Sequence, residues 1–333
     1  MIVFITGATS TIGNHLVNLL TLEGITVHLL VRDIKKAAYF NQDNIKLFQG
    51  DIDSEEALIQ AMSGCTHVFH LAALTSVWQK NPSRYYEVNV GCTLNVLRVA
   101  KDLGIKRVVI TSSAGGYGPS ISSIVTEKKA REIGFFNDYE CSKVICELKA
   151  KEFAIAEAFD VVIVSPSRVY GPTLNAEVSS ITLLFDQYIN HSWRLIPGDG
   201  KEVGNYAYIE DVARGHVLAM HHGKRGESYI LGGHNITYNT FFNLMAELSS
   251  IQRKMIHAPF LLQNLYAYIE LFKARFVSGV AKITPQWLAK GKYHWEVDCS
   301  KAINDLGYQI TPLNEAFNKT ITFLKQKGNE TFH

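Results

Sequence analysis

Short apolar runs alternate along this chain with longer segments in which apolar residues recur three or four positions apart. The short runs, which predict buried strands, are residues 3–5, 27–31, 46–52, 67–73, 107–113 and 160–164. The longer segments predict helices: one begins near Ile12, and another extends from Arg84 to Leu103, where Gly104 ends it. Strands that alternate with helices pair in a parallel sheet. The pattern therefore predicts an α/β fold.

The first strand leads directly into a glycine turn. Gly7 permits a tight turn, and Gly13 lets the next helix pack close to the sheet. Such a turn directs backbone N–H groups and the positive end of a helix dipole at one point, which suits a pyrophosphate. Taken alone, the turn is equally typical of a dinucleotide-binding turn and of an ordinary strand–helix connection. Ser10 stands where the dinucleotide fingerprint has its middle glycine, and it either crowds the phosphate or donates a hydrogen bond to it. The predicted cofactor contacts of the turn are Gly7, Thr9, Ser10, Thr11, Ile12 and Gly13.

Charged residues follow the second strand. In a Rossmann-type unit this strand end meets the adenosine ribose, where a carboxylate accepts the 2′-hydroxyl of NAD and an arginine favours the 2′-phosphate of NADP. Asp33 has the spacing of an NAD acid, but Arg32 stands closer to the strand, with Lys35 and Lys36 nearby. We therefore predict NADP(H) as the preferred cofactor, with Arg32 and Lys36 as contacts, and NAD(H) as the alternative. A solvated loop is the other interpretation of these charges.

Polar and small residues near the ends of the third and fourth strands suit the rest of the dinucleotide. Asp51 is placed to accept a hydrogen bond from the adenine amino group, or alternatively to cap the next helix. His70 is interpreted as a packed strand histidine. Asn89 either braces the active site or caps a neighbouring loop. The predicted contacts here are Asp51, Ile52, Leu71, Ala72, Ala73 and Asn89.

A tyrosine and a lysine four residues apart follow the fifth strand. Tyr139 and Lys143 project from one face of the predicted helix. An ammonium beside a phenol lowers the tyrosine pKa from about 10 toward neutrality, so Tyr139 can exchange a proton with a substrate oxygen. Ser113 is placed to hydrogen-bond the same oxygen, and Lys143 is also placed to hold the nicotinamide ribose. We predict these three residues as catalytic, although a Tyr-x-x-x-Lys pair without a preceding glycine turn usually lies on the surface.

Several motifs occur together in one order along nearly the whole chain. They are Gly7…Gly13, Gly50-Asp51, residues 70–73, Asn89-Val90-Gly91, Ser112-Ser113, Tyr139…Lys143, Tyr170-Gly171-Pro172 and residues 208–213. On these motifs the chain resembles the extended short-chain dehydrogenases/reductases of the NAD-dependent epimerase/dehydratase superfamily. The resemblance implies a Ser-Tyr-Lys triad at Ser113, Tyr139 and Lys143. It also implies a loop with Pro166 and Arg168 that backs the nicotinamide, and a homodimer through the helices that carry Asn89 and Tyr139.

The predicted fold class is a Rossmann-type doubly wound parallel sheet with a smaller, mainly helical C-terminal substrate lobe. Residues 1–168 and 206–233 are assigned to the NAD(P)-binding domain, and residues 169–205 and 234–333 to the substrate lobe. A helix is predicted at 181–189, another from a cap at Asp211 to His222, and a strand at 228–231. From Thr237 onward the chain is predicted to be mainly helical.

Composition excludes several classes of protein. With 333 residues, of which 47% are apolar and 19% charged, the chain can bury a large globular core. A net charge of +2 indicates no nucleic-acid partner. Five scattered cysteines predict neither a disulfide framework nor a metal site. No run of about 18 apolar residues occurs and the first strand begins at residue 2, so we predict no transmembrane segment, no signal peptide and a cytoplasmic protein.

Residues 259–276 are unusual because apolar side chains cover most of a predicted helix. One interpretation is a helix buried between the two lobes. The other is a lid over an apolar substrate, or a surface that touches a membrane or a partner.

Three classes of function are compatible with these motifs. The intact triad argues against a non-catalytic dinucleotide-binding regulator, but fold alone does not separate a carbonyl reductase or alcohol dehydrogenase from a nucleotide-sugar epimerase or dehydratase. Sugar-nucleotide members typically carry an asparagine where this chain has Arg168, and an arginine near Gly204. The loop at 204–208 and the stretch 259–276 look more like the dihydroflavonol reductase and hydroxysteroid dehydrogenase branches. We therefore predict an NAD(P)-dependent oxidoreductase whose small-molecule substrate is a largely apolar ketone or secondary alcohol, while Arg168 is also placed to grip a phosphate.

Overall fold

The computed structural model describes residues 1–173, 178–278, 281 and 283–330; the parts of the predicted substrate lobe at 174–177, 279–280, 282 and 331–333 lie outside these ranges. The strands are β1 (Ile2–Thr6), β2 (Thr26–Val31), β3 (Ile45–Gln49), β4 (His67–His70), β5 (Arg107–Thr111), β6 (Val161–Pro166), β7 (Arg168–Tyr170), β8 (Leu195–Pro197), β9 (Val203–Tyr208), β10 (Ser228–Leu231), β11 (His234–Thr237) and β12 (Ile256–Ala258). The helices are α1 (Thr11–Leu22), α2 (Glu55–Met62), α3 (Ser83–Tyr86), α4 (Thr93–Asp102), α5 (Asp138–Ala156), α6 (Ser180–Asn190), α7 (Ile209–His222), α8 (Tyr238–Ser249), α9 (Phe260–Lys273), α10 (Pro285–Ala289), α11 (Ser300–Leu306) and α12 (Leu313–Glu330). A π-helical segment, Glu87–Cys92, joins α3 to α4, and a second one, Ala274–Ser278, extends α9.

A seven-stranded parallel sheet forms the larger part of the molecule. Its strand order is β10-β6-β5-β4-β1-β2-β3. The chain therefore runs outward from β1 to β3, returns, and continues on the other side of β1 at β4. In open parallel sheets ligands bind at such a switch point, beyond the carboxyl ends of the strands. The predicted Rossmann-type sheet is confirmed.

Both faces of this sheet are covered by helices. Val3 and Ile5 of β1 belong to a core that α1, α7 and α11 complete, whereas Phe4 belongs to the core beneath α2, α4 and α5. Successive strand residues point to opposite faces, so a strand that is covered twice is apolar throughout. This explains why the strands could be recognised as short continuous apolar runs.

Three predicted strands end earlier than expected. β3, β4 and β5 end at Gln49, His70 and Thr111, where the apolar patterns extended to 52, 73 and 113. After β4 the reason is visible: the Leu71 N–H still bonds to the Thr6 carbonyl, but the Ala72 N–H donates to the Thr6 hydroxyl at 3.2 Å. A side chain thus replaces the ladder, and the backbone turns away from the sheet toward the cofactor side.

The smaller lobe is built around aromatic side chains. β11, β9 and β7 form a three-stranded sheet, and β12 pairs with β8. Tyr170, Phe185, Phe241 and Phe317 meet at ring-centroid distances of 4.9–5.4 Å where α6, α8 and α12 converge. Residues 206–208, assigned from the sequence to the cofactor domain, pair here with β7 and β11.

Residues near the carboxyl end complete the core of the large sheet. Ala302, Leu306 and Tyr308 pack into the core that contains β1 and β2, and the buried Tyr308 hydroxyl donates to the Gly232 carbonyl at 2.8 Å. The predicted cap at Asp211 is wrong, since α7 already begins at Ile209. The Asp211 carboxylate instead accepts hydrogen bonds from the backbone N–H and hydroxyl of Thr311, at 2.8 and 2.6 Å.

Residues 260–273 form a helix as predicted, but the helix is not buried between the lobes. Ala267 is the single buried side chain of α9. The prediction of a buried helix is therefore wrong for the large apolar residues. Of the helices that the structure describes, none has the length and apolar character needed to cross a bilayer.

Candidate active site

The glycine turn lies at the switch point between β1 and β4 and requires both of its glycines. Gly7 has φ +74°, and a Cβ there would lie 2.7 Å from the Ala72 nitrogen. A Cβ on Gly13 would lie 2.2 Å from the Gly7 carbonyl oxygen. Ser10 is the N-cap of α1, where its hydroxyl oxygen accepts from the Gly13 N–H at 3.1 Å. The turn is thus a backbone cradle at a helix N-terminus, and it fits a pyrophosphate.

The adenosine end of the cleft carries exposed charges. Asp33 accepts a hydrogen bond from the Lys35 N–H at 2.9 Å, so its carboxylate closes a local turn. Arg32 and Lys36 are exposed, and in the described part of the chain neither has a carboxylate within ion-pair distance. Asp51 accepts from the Ile52 N–H at 2.7 Å, while α2 is capped by Ser54. The alternative that Asp51 caps this helix is therefore wrong.

His70 is a packed strand histidine, as predicted. Thr93 donates its hydroxyl proton to the Asn89 carbonyl at 2.9 Å, so it must accept from His70 Nε2, also at 2.9 Å. The ring proton is then on Nε2, and Nδ1 accepts from the Thr6 hydroxyl at 2.8 Å. Burial, with a smaller effect of the Lys143 charge, lowers the pKa of His70 to about 3. The ring stays neutral and links β1, β4 and α4.

Asn89 connects the loop after β4 to α5. It lies in the π-helical segment and is 1% exposed. Its Oδ1 accepts from the Leu74 N–H at 2.7 Å, and its Nδ2 donates to the Leu74 carbonyl at 3.2 Å and to the Ser142 hydroxyl at 2.9 Å. Asn89 therefore caps the loop at Leu74 and also contacts Ser142, which adjoins Lys143, so both predicted roles have a contact in the structure. π-Helical turns are frequent at such functional positions.

Ser113, Tyr139 and Lys143 come together at the carboxyl end of β5. The Ser113 hydroxyl lies close enough to the Tyr139 phenol to affect the pKa of that phenol, and it accepts a hydrogen bond from the Gly115 N–H at 3.2 Å. Lys143 is buried, and its ammonium donates to the Thr111 carbonyl at 2.5 Å. Burial lowers the pKa of Lys143.

The direction of the Tyr139 pKa differs from the prediction. Burial raises the pKa of the phenol and Glu140 adds to the rise, while the Ser113 hydrogen bond opposes it. The Lys143 ammonium, which was expected to lower this pKa, is directed at the Thr111 carbonyl. The expectation that the Tyr139 pKa falls toward neutrality is therefore wrong.

A buried ion cluster that the sequence analysis missed lies beside Tyr139. Glu140 is fully buried; its carboxylate oxygens lie 2.7 Å from Arg131 Nη2 and 2.6 Å from Lys290 Nζ. Arg131 also donates to the carbonyls of Gly115 and Gly116, at 3.0 and 3.1 Å. The cluster therefore holds the loop after Ser113 against the start of α5. The one sequence signal was an acidic residue directly after Tyr139, and nothing local pointed to Lys290.

Arg168 does not lie where the resemblance implied. β7 leaves the large sheet directly after Pro166, whose strand still pairs with Leu231. The Arg168 guanidinium donates to the hydroxyls of Tyr238 and Tyr206, at 3.2 and 3.5 Å. It thus faces the smaller lobe and not the cofactor turn. No group of three or more potential metal ligands occurs within the described ranges.

Comparison with known proteins gives one family and several distant relatives. The NAD dependent epimerase/dehydratase family matches residues 3–232. A putative dihydroflavonol 4-reductase of Synechocystis is 28% identical over 98% of this chain and 95% of its own length. Sterol demethylase protein B of Methylococcus capsulatus is 26% identical over 98% of this chain and 99% of its own length. The solved structure of UDP-glucose 4-epimerase from Thermotoga maritima superposes with a TM-score of 0.79 at 22% identity, over 98% of this chain and 99% of that one. At this identity the similarity supports the fold alone.

Proposed function

Since this chain belongs to the NAD-dependent epimerase/dehydratase family, as an NAD(P)-dependent enzyme of the extended short-chain type, we propose that it is a carbonyl reductase or secondary-alcohol dehydrogenase. Its substrate is a largely apolar ketone or alcohol, and NADP(H) is its preferred cofactor. The observation that carries the proposal is the position of the Tyr139 phenol beside the Ser113 hydroxyl, one helical turn from the buried Lys143.

Tyr139 is the proton donor in this proposal. A phenol whose pKa is raised by burial stays protonated at neutral pH, and it can therefore donate to a carbonyl oxygen as negative charge develops there. The Ser113 hydroxyl orients the phenol and stabilises the same oxygen. Lys143 is held by the Thr111 carbonyl on the cofactor side and would bind the nicotinamide ribose. The bound nicotinamide supplies or accepts the hydride.

Three features support the NADP(H) preference. Arg32 and Lys36 are exposed beside β2, and Asp33 is engaged by the Lys35 N–H. Charge-assisted hydrogen bonds to a 2′-phosphate need donors that are not already paired with carboxylates. Two exposed cations meet that need, and one oxygen of the carboxylate between them already accepts a backbone hydrogen bond.

Aromatic side chains beside the triad support an apolar substrate. The Phe136 ring lies 5.5 Å from that of Tyr293 and 5.9 Å from that of Trp295, and the Phe136 N–H bonds to Glu140 next to Tyr139. Ligand sites are mostly apolar with a few convergent polar groups, which this arrangement provides. The relatives named for dihydroflavonol and sterol chemistry are consistent with such a substrate. A homodimer through α4 and α5 is also proposed, since Leu148 and Ile155 of α5 are exposed.

Oxidation of NADPH in the presence of aryl and alicyclic ketones tests the function. Tyr139→Phe is expected to lower turnover by a factor of at least about 100 while cofactor binding persists. Tyr188→Phe is the matched control, because it removes a phenol hydroxyl that bonds to the Ile251 carbonyl in the smaller lobe. Wild-type turnover in Tyr139→Phe would refute the mechanism, and turnover of nucleotide sugars alone would move the enzyme to the epimerase class.

A further inference from the structure

The C-terminal lobe places a cation next to the catalytic serine. A Cβ atom built on Gly115 would lie 3.4 Å from Ser113 Oγ and 3.9 Å from Lys290 Nζ, so the serine hydroxyl and the lysine ammonium border the same small space. Lys290 reaches this position from the end of α10, with its ammonium 4.9 Å from the centre of the Trp295 ring. An anionic group in contact with this ammonium would therefore sit within a few bonds of a carbonyl held by Ser113 and Tyr139.

Positive charge exceeds negative charge at this end of the cleft. Glu140 is the one carboxylate, in the described ranges, within ion-pair distance of Lys290, and it is shared with Arg131. Arg168 is partly buried, and its hydrogen-bond partners are the neutral hydroxyls of Tyr206 and Tyr238. Burial lowers the pKa of Lys290, and the charges of Arg168 and Arg131, which lie near enough to act on its ammonium, lower it further. Three cations thus meet one carboxylate. Partly buried cations without matching anions are costly, and a ligand anion would compensate them.

We propose that Lys290 and Arg168 form a subsite for a carboxylate of the substrate. The enzyme would then act on keto or hydroxy acids whose remaining skeleton is apolar. Lys290 contributes a point charge near the reacting carbon, and the planar Arg168 fork suits a carboxylate. This inference rests on the proposed oxidoreductase function and names its substrate class.

Calorimetry tests the subsite. It measures the binding of two matched ketones to the enzyme without cofactor and to the enzyme with bound NADP. 4-Oxo-4-phenylbutanoate and butyrophenone share an aryl ketone and differ in the carboxylate. The wild type is expected to bind the acid at least about 10-fold more tightly, as charge-assisted hydrogen bonds predict. Lys290→Met and Arg168→Gln should each remove most of this preference. Lys292→Met is the matched control, because Lys292 is exposed and lies over the Phe260 ring.

A third variant keeps both cations and separates loss of the subsite from loss of folding. Gly115→Ala would place a methyl group in the volume between Ser113 and Lys290, and it should lower the acid-over-ketone preference. Equal binding of both ketones to the wild type overturns the subsite. Micromolar binding of UDP-glucose that Arg168→Gln abolishes, without binding of the acid, would assign the cations to phosphate and also overturn it. Failure to reduce either ketone would refute the proposed function while the binding result stands.

A separate observation concerns the outer face of α9 and its π-helical extension. Six large apolar side chains on it are 60–80% exposed: Leu261, Leu262, Leu265, Tyr268, Phe272 and Phe276. On the inward side Ala267 and Ala274 are buried, and Gln263, Asn264, Glu270 and Leu271 are half-buried. A surface helix normally has the reverse pattern. A contiguous apolar patch of this size marks an interaction surface.

The charges around this face show what covers it. Along α9 and its π-helical extension the charged residues are Glu270, Lys273 and Arg275. Glu270 is paired with Lys273 at 3.2 Å, Lys273 and Arg275 are exposed at one end of the apolar stripe, and Lys292 lies at the other. Cations that flank an exposed apolar stripe suit the interface of an anionic bilayer, with the ring and aliphatic side chains in the acyl boundary.

We infer that α9 binds the surface of an anionic membrane without crossing it. Co-sedimentation of the full chain with vesicles of 3:1 phosphatidylcholine and phosphatidylglycerol tests this. The wild type is expected to bind, and both Leu265→Ser/Phe272→Ser and Lys273→Glu/Arg275→Glu should lower the bound fraction at least about 10-fold. Leu22→Ser is the control, because Leu22 of α1 is 86% exposed away from this face. Absence of wild-type binding overturns the inference, as does a dimer that only Leu265→Ser/Phe272→Ser dissociates, since a second copy would then cover the face.

Discussion

Substitution of Asn89 should destabilise the fold and weaken the cofactor site together. Asn89→Ala leaves the Leu74 N–H and carbonyl, now bonded at 2.7 and 3.2 Å, without partners in a region where Asn89 itself is 1% exposed. Leu74 is half-buried, and a backbone group left without a partner in such a region costs up to roughly 1–3 kcal/mol. The Ser142 hydroxyl keeps its bond to the Tyr139 carbonyl at 2.8 Å and so adds little. We expect a loss of about 3 kcal/mol in the free energy of unfolding.

Urea unfolding without cofactor, together with NADPH titration, measures both effects. Asn95→Ala is the matched control, because Asn95 lies on α4 and its Oδ1 accepts from the exposed Arg98. NADPH affinity should fall in Asn89→Ala, since the Leu74 loop continues from Ala72 and Ala73. A free energy of unfolding within about 0.5 kcal/mol of the Asn95→Ala value would refute the bracing role, because surface substitutions stay inside that range.

The glycine turn, the ribose end of the cleft and His70 each lead to a distinct expected outcome. Gly13→Ala forces a Cβ to 2.2 Å from a carbonyl oxygen, and it should lower the free energy of unfolding by about 2 kcal/mol and abolish most NADPH binding. Gly134→Ala is the control, because a Cβ there meets open space and should change neither quantity in the same urea and NADPH titrations. Arg32→Ala should weaken NADPH binding at least about 10-fold without affecting NADH; tighter wild-type binding of NADH would show that Asp33 faces the ribose. The folded-state pKa of His70, about 3, lies below its ordinary 6.5, so the stability that the neutral ring contributes is present above pH 6.5 and is lost as the pH falls toward 3. The free energy of unfolding, measured with urea, should therefore be lower at pH 4.5 than at pH 7, and this difference should be smaller in His70→Gln. The same difference in both proteins would contradict the assignment of a neutral His70.

Local patterns in the sequence were enough to predict most of the fold and to select Ser113, Tyr139 and Lys143 as candidate residues. Strands buried on both faces are apolar throughout, and a glycine whose Cβ would collide with backbone leaves a mark at one position, as Gly13 does. Tyr139 and Lys143 share a helix, so their spacing alone placed them together. The prediction that Ser113 lies near them required only that β5 end beside that helix.

What the sequence could not supply depends on contacts between distant segments. Lys290 meets Glu140 across 150 positions, and no periodicity encodes such an approach. The pKa of Tyr139 depends on how deeply the phenol is buried, and burial outweighs an ammonium that is directed elsewhere. The helical period of α9 was visible, but its apolar residues gave no indication that they face outward, because the pattern is the reverse of that of an ordinary surface helix.

The late position of Tyr308 affects how the protein is made. β1 and β2 are translated first, yet the core on one of their faces is completed by Ala302, Leu306 and Tyr308. At roughly 5–20 residues per second, the apolar side chains of that face wait on the ribosome for a time on the order of tens of seconds. We therefore expect this apolar face to stay exposed until residues 302–308 have been made, and a chain that lacks them to aggregate or to be proteolysed more readily than the full chain.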